Sequence, residues 1–552
     1  MKMSTLVVGA VAAPAIVTSV CLLSAAAAGA TTEEAGASSV SKSADTSDPS
    51  TPPSSPGSDT DEPGAITASD DDADPLSDVD ADLDADDDES GGAADFNADD
   101  DSGESIPAGE AAGSGDADAD ADQSGPESVP NSARRYASES LVTLDTVVDE
   151  EPEADTVDLA LQQIAQARDE LYSATWDSGL ILAGLAAMLP QMYLSGATTS
   201  LERWEHDHAR LQEEFAATVD NPFAHWIAGL RIENSIQRTI RVQRQLDAAE
   251  DWLPVVGWFG PRDAMAAIAE LVDKAADNGL VYQILDLYME NVDGVRHVNP
   301  IMRMSVNGGE YVDVLLDTGS LGLVIDPQLI GLKNIGAPFD HGTGCYGDCS
   351  VEYAWDAYNI PVAVNGIESS PTPVLVVTLD TWYALSETNG AYDGILGIGA
   401  NNPYPFPSNP LTALPGLLNQ GVLIQERRRR AILGPNPYSA RVTLDGAPII
   451  RDLVVQVGDH DRWLVETWID SGGIFGTVPK NVVGGDDSVP AGTPISVYTE
   501  DGETLLFAYT TTQANKPDVV PGGPVIMGFP PFQAASIYVD FRGSGKTIFN
   551  HA

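Results

Sequence analysis

Between residues 155 and 295, apolar positions recur at three- and four-residue steps. Leu201, Trp204, His208, Leu211 and Phe215 share one helical face, as do Met265, Ile268, Leu271 and Ala275. Ile232, Ile236 and Ile240 mark a third helix. Leu189-Pro190, Asn221-Pro222, Gly257 and Gly260-Pro261 read as the breaks between helices. Trp176, Trp204, Trp226, Trp252 and Trp258 offer enough apolar area to anchor a core. His208 lies on an apolar stripe and reads as a packed core histidine rather than a ligand.

From about Asn299 the period changes. Short β-rich runs, among them Val312 to Leu316, Val374 to Thr378, Arg441 to Leu444 and Ser536 to Phe541, alternate with Gly, Pro and Asn turns. That texture predicts an all-β domain, long enough to bury a large core.

The N-terminal portion follows neither pattern. After Lys2 no charge occurs from Met3 to Ala30, and the run ends in small residues with cleavage-like sites near Ala28 or Ala30. It reads as an export signal or, uncut, as a membrane anchor of sufficient length. Residues 31–130 are mostly Asp, Ala, Ser, Gly and Pro, with Phe96 the lone aromatic, so they cannot bury enough apolar surface to offset ordering entropy. The expected organisation is a signal or anchor over 1–30, an acidic disordered region over 31–153, an α-helical domain over 154–296 and an all-β domain over 297–552.

Charge narrows the classes of partner. The chain has 84 acidic and 27 basic residues, a formal net charge of −57, and residues 31–130 hold 30 of the acids against Lys42 alone. Such a protein is repelled by nucleic acid, and by anionic membrane surfaces unless residues 1–30 are retained. The alternating acids from Asp116 to Asp122 lack the glycine turn and distal Glu of a calcium loop and read as solvated charge. Cys21 lies in the apolar run. Cys345 and Cys349 suit a small disulfide in an exported chain, with two free thiols as the alternative. Seven scattered His support no metal site, and no cofactor is expected. Arg427 to Arg430 reads as a solvated loop or a processing site. Arg231, Arg238, Arg241 and Arg244 read as a surface helix face or as a pro-segment over an acidic cleft.

The chemistry resides in two short motifs. Val314-Leu-Leu-Asp317-Thr-Gly-Ser320 runs an apolar strand into a tight loop, and Trp468-Ile-Asp470-Ser-Gly-Gly473 repeats the arrangement. Two carboxylates brought close cannot both ionise easily, so they share a proton. The charged member can then take a proton from water while the other hydrogen-bonds a peptide carbonyl. Gly319 and Gly472 are expected to permit the tight turn, and the hydroxyls of Thr318 and Ser471 to cross-bond beneath the pair.

At these residues the chain resembles the pepsin-like aspartic proteases. Tyr392-Asp-Gly-Ile-Leu-Gly397 and Val525-Ile-Met-Gly528 look like the strands that pass behind each catalytic loop, and Ile537 to Phe541 looks like the closing strand. The resemblance implies a bilobal all-β fold. It further implies a flap carrying Tyr346 and Gly347, braced by Cys345 and Cys349, with Tyr353 as the fallback flap tyrosine. Met304-Ser-Val-Asn-Gly-Gly, Leu414 to Ile424, Gly434-Pro-Asn-Pro437 and Ile469-Asp-Ser-Gly-Gly473 look like the PecA family of mycobacterial PE-domain-processing aspartic proteases. That likeness covers about 299–552. It implies an exported, secreted or cell-envelope endopeptidase, acting as a monomeric domain on protein substrates, itself included. Two features depart from it. No Pro-Glu helical hairpin opens the chain, and Gly473 stands where a hydroxyl would support Asp470 as Ser320 supports Asp317. The rival expectation is a catalytically weak pepsin-fold module for peptide binding or adhesion at the cell envelope.

Overall fold

The computed structural model describes residues 156–292, 295–346, 351–379, 381 and 392–551, so the expectations for residues 1–153 lie outside it. Four helices come first: α1 (Thr156–Tyr172), α2 (Ile181–Ala217), α3 (Pro222–Gly257) and α4 (Arg262–Asn278). Asn221 ends the α2–α3 turn, its side chain accepting from the Ala224 N–H at 3.2 Å, and Pro222 occupies the first turn where no donor is missed.

Two expectations for this region are corrected. Leu189-Pro190 does not end a helix, because Pro190 is buried inside α2. Small residues in the preceding turn, Ala186 and Ala187, leave room for the ring, and packing along α3 outweighs the lost hydrogen bond. Nor do five tryptophans anchor the core. Trp204 is buried, whereas Trp226 and Trp258 are 59% and 69% exposed, and Trp176 lies against Gly184 at the surface. Small and branched aliphatic residues fill the interior instead, from Val157, Ala160 and Ile164 to Ile268 and Val272.

Strands begin at Gln283, on the helical side of the 296/297 boundary read from the sequence. Up to Ile398 they are β1 (Gln283–Asp286), β2 (Tyr288–Val292), β3 (Val295–Val306), β4 (Val312–Asp317), β5 (Leu321–Ile325), β6 (Asp340–Tyr346), β7 (Val351–Ile360), β8 (Val362–Val364), β9 (Ile367–Glu368), β10 (Thr372–Val377) and β11 (Gly394–Ile398). Except for β1, these form one sheet in the order β6-β7-β10-β5-β11-β4-β3-β8-β9, with β2 beside β3. Its central strands β5 and β11 are buried throughout, which explains their near-continuous apolar sequence.

A second sheet holds β15 (Ile449–Val457), β16 (Trp463–Ile469), β17 (Thr477–Pro479), β18 (Pro494–Tyr498), β19 (Leu505–Thr510), β20 (Asp518–Val520) and β21 (Val525–Met527). The third gathers distant segments in the order β1-β13-β12-β22-β23-β14, from β12 (Gly421–Gln425), β13 (Arg430–Leu433), β14 (Ala440–Asp445), β22 (Ile537–Asp540) and β23 (Lys546–Asn550). A short helix, α5 (Pro530–Ala534), leads into β22.

The helices dock on this third sheet. Leu423, Ile432, Tyr438 and Tyr538 share one apolar cluster with the interior of the helical region. Above it, Glu233 of α3 accepts from Arg428 Nη1 at 2.8 Å, Arg430 Nη1 at 2.9 Å and Tyr438 OH at 2.7 Å. The arginine run is therefore neither a plain solvated loop nor a processing segment held clear of the fold. It is the tight turn between β12 and β13, and two of its residues clasp the helical region. Arg231 likewise pairs with Glu214 on α2, within the helical region.

Candidate active site

The buried strand β4 delivers Asp317 into a loop, and β16 delivers Asp470 into another. β11 runs parallel to β4 with Gly397 opposite Asp317, and β21 runs parallel to β16 with Met527 opposite Ile469. Each loop is thus held from behind by a parallel strand, and the Asp470 N–H donates to Met527 O at 2.9 Å.

A reciprocal lattice joins the loops. Thr318 Oγ1 donates to Ile469 O at 2.7 Å and accepts from the Ser471 N–H at 2.8 Å. Ser471 Oγ donates to Leu316 O at 2.7 Å and accepts from the Thr318 N–H at 3.0 Å. Each hydroxyl therefore bonds the opposite backbone, not the other hydroxyl. All four groups are buried, where satisfied hydrogen bonds fix geometry strongly.

Gly319 and Gly472 serve close approach rather than an unusual turn; neither has a left-handed φ. A Cβ on Gly319 would fall 2.4 Å from Asp470 Oδ1, and one on Gly472 would fall 2.5 Å from Asp317 Oδ1. Only glycine lets each carboxylate settle on the opposite loop.

The two carboxyl groups face each other across the loops, each lying against the glycine of the opposite motif. Asp317 Oδ1 accepts from the Gly319 N–H at 2.6 Å, and its Oδ2 from Ser320 Oγ at 2.5 Å. Asp470 Oδ1 takes both backbone donors on its side, Gly472 N–H at 2.9 Å and Gly473 N–H at 3.2 Å. Its Oδ2 faces Gly473, which offers no hydroxyl. Burial first, then the charge of Asp317 and the bond between them, push the Asp470 carboxyl well above the usual carboxylate range, against the pull of the two backbone donors. The geometry can therefore hold one shared proton on the Asp470 side. Among the described residues, no three His, Cys, Asp or Glu side chains gather as metal ligands.

Of the expected flap residues, the described part of the β6–β7 hairpin carries Cys345, Tyr346 and Tyr353. Tyr346 ends β6 opposite Val351, while Gly347 and Cys349 lie outside the described residues. The ring of Tyr346 stacks on Tyr353 at 5.4 Å and 16°. Burial, then Tyr353, then the charge of Asp317 push its phenol well up. Sequence reasoning missed Asn402 and Tyr404. Asn402 Nδ2 donates to Gly319 O at 2.6 Å, and Tyr404 OH donates to Cys345 O at 2.8 Å. Their signal in the sequence is only that they follow the strand behind Asp317.

Known proteins share this C-terminal portion. Residues 287–548 match the family model described as PE-PGRS C-terminal aspartyl peptidase-like domain. PE cleavage protein A of Mycobacterium tuberculosis is 36% identical over 281 residues, covering 46% of this chain and 50% of its own length. PE cleavage protein A of Mycobacterium marinum is 35% identical over 284 residues, covering 46% of this chain and 51% of its own. The chain thus spans about half the length of the curated relatives it matches. The crystal structure of aspartic proteinase from Irpex lacteus superposes with a TM-score of 0.35 at 12% identity, covering 49% of this chain and 97% of that one.

Proposed function

We propose that this chain is an aspartic endopeptidase whose sheets form two lobes, one carrying Asp317 and the other Asp470. The observation that carries the reading is the reciprocal lattice of Thr318 and Ser471, which holds the two loops so that each carboxyl group lies against the glycine of the other. Protonated Asp470 donates to the carbonyl oxygen of the scissile peptide. Asp317, with donors on both oxygens, takes a proton from the attacking water. Water oxygen bonds the carbonyl carbon and a tetrahedral diol forms. The proton on Asp317 then passes to the leaving nitrogen, the C–N bond breaks, and Asp470 recovers its proton from the diol. The Tyr346 hairpin is the flap over an extended peptide, with Cys345 and Cys349 bridged at its tip.

Substrate and location follow from the relatives' name and from the N-terminal sequence. The relatives are named for cleaving PE proteins, which supports a secreted or cell-surface protein as substrate, this chain included. Residues 1–30 fit export or anchoring, and residues 31–153 fit a disordered acidic spacer. The protease region acts as a monomer.

The test is cleavage of a peptide library from roughly pH 3 to pH 8 beside Asp317→Asn and Asp470→Asn. Each substitution should lower kcat by at least about 10²–10⁴-fold. Peptide binding without cleavage by the unmodified chain would replace the protease reading with the binding-module one, for which the bare Oδ2 of Asp470 is the favouring observation.

A further inference from the structure

The segment after β11 follows the Asp317 loop almost residue by residue. The Gly399 N–H donates to Ser320 O at 2.7 Å, and Asn402 Nδ2 to Gly319 O at 2.6 Å. The Leu321 N–H donates to Tyr404 O at 2.7 Å, and the Phe406 N–H to Leu321 O at 3.2 Å. Residues 399–406 are therefore a strap bonded to the backbone of Gly319, Ser320 and Leu321.

The side chain of Tyr404 leaves this strap for a different element. Its phenol accepts from the Cys345 N–H and donates to Cys345 O at 2.8 Å. β6 is the edge strand of its sheet, so among the described residues no further strand pairs with the outward N–H and C=O of Cys345. One hydroxyl, using its single donor and a lone pair, satisfies both. Cys345 immediately precedes Tyr346, whose ring stacks on Tyr353.

We propose that Tyr404 is a positioning residue that clasps the flap strand to the Asp317 loop, so that flap height over the dyad and loop geometry are set together. The proposal rests on the protease reading above. Substrate must pass beneath the hairpin, and an unclasped edge strand would sample positions too high to press an extended peptide onto the carboxyl groups. Closure of this kind acts through orientation, where small displacements of a positioning group cost large factors in rate.

The experiment compares the full chain with Tyr404→Phe, which keeps the ring and removes the hydroxyl, and with Asp317→Asn as the inactive reference. Amide exchange at Cys345 should accelerate by about ten-fold, and kcat/KM for an extended peptide should fall by about ten-fold, the size of one lost hydrogen bond. The thermal midpoint should stay put, which separates positioning from a general loss of fold. Unchanged exchange at Cys345 overturns the clasp. Accelerated exchange with unchanged kcat/KM overturns its role in positioning, as does a rate loss that merely tracks a fall in thermal midpoint. If the unmodified chain cleaves no better than Asp317→Asn, the protease reading itself fails and the positioning role fails with it. That outcome is recognised before Tyr404→Phe is considered.

Discussion

Asp317 and Asp470 sit in mirrored loops, yet their outer oxygens meet different partners. Ser320 Oγ bonds Asp317 Oδ2, while Asp470 Oδ2 faces a glycine. A donor there would favour the charged form of Asp470. Gly473→Ser should therefore lower its pKa and pull the alkaline limb of the kcat/KM profile to lower pH by about one unit, the equivalent of one charge-assisted hydrogen bond. The new Cβ would meet Asp470 Oδ2 at 3.1 Å and Gly528 Cα at 3.4 Å, so crowding has to be separated from bonding. Gly473→Ala adds the crowding alone. Equal pH profiles for the two variants would reject the hydrogen-bond explanation. Asp317, Thr318, Ser471 and Gly473 were legible because each motif is contiguous and its chemistry local. Tyr404 was not, since its role depends on where a separate hairpin edge comes to lie.

At the scale of elements, α3 is tied to β13 by Glu233. Burial pushes this carboxyl up, but the hydrogen bonds from Arg430 and Tyr438 outweigh it and hold the pKa below the ordinary value. Its partners are well shielded: the Arg430 side chain is 15% exposed and Tyr438 only 4%. Glu233→Ala removes the acceptor shared by Arg428, Arg430 and Tyr438, leaving Arg430 its bond to Gln425 Oε1, and should cost about 2–4 kcal/mol by denaturant unfolding. In a double-mutant cycle with Arg430→Ala, strong coupling is expected; additive losses would show that the apolar cluster alone does the docking. The helical and β segments were readable from their periods, but this junction was not. Four consecutive arginines look solvated in a sequence. Their pairing depends on a tight turn at Arg429, in the left-handed region, that aims Arg428 and Arg430 at a helix almost two hundred positions away. Pro190 was misread for a related reason: the local penalty is real, but tertiary packing along α2 exceeds it.

Across the whole molecule, half-buried His208 and buried Glu426 pull stability in opposite directions as pH changes. The His208 ring lies 5.3 Å from Trp204 and 6.4 Å from Tyr282, tilted to both, and burial lowers its pKa from 6.5 to about 4. As pH falls below 6.5 the unfolded chain binds this proton before the folded one, so the helical region loses up to roughly 3 kcal/mol by pH 4. Glu426, in the turn between β12 and β13, behaves the other way. Neither of its carboxyl oxygens has a hydrogen-bond partner among the described residues, and burial raises its pKa well above 4.5. Its contribution is complete below the ordinary Glu range and is lost as pH rises through the raised folded value. Acidification should therefore loosen the helices around His208 while tightening the β12–β13 turn. Hydrogen exchange at about pH 7 and about pH 4, corrected for intrinsic rates, reads both regions in one experiment. His208→Phe should flatten the first response and Glu426→Gln the second, each leaving the other intact. A uniform response across helices and sheet in the unmodified chain would mean that the carboxylates as a group, rather than these two residues, govern its stability against pH.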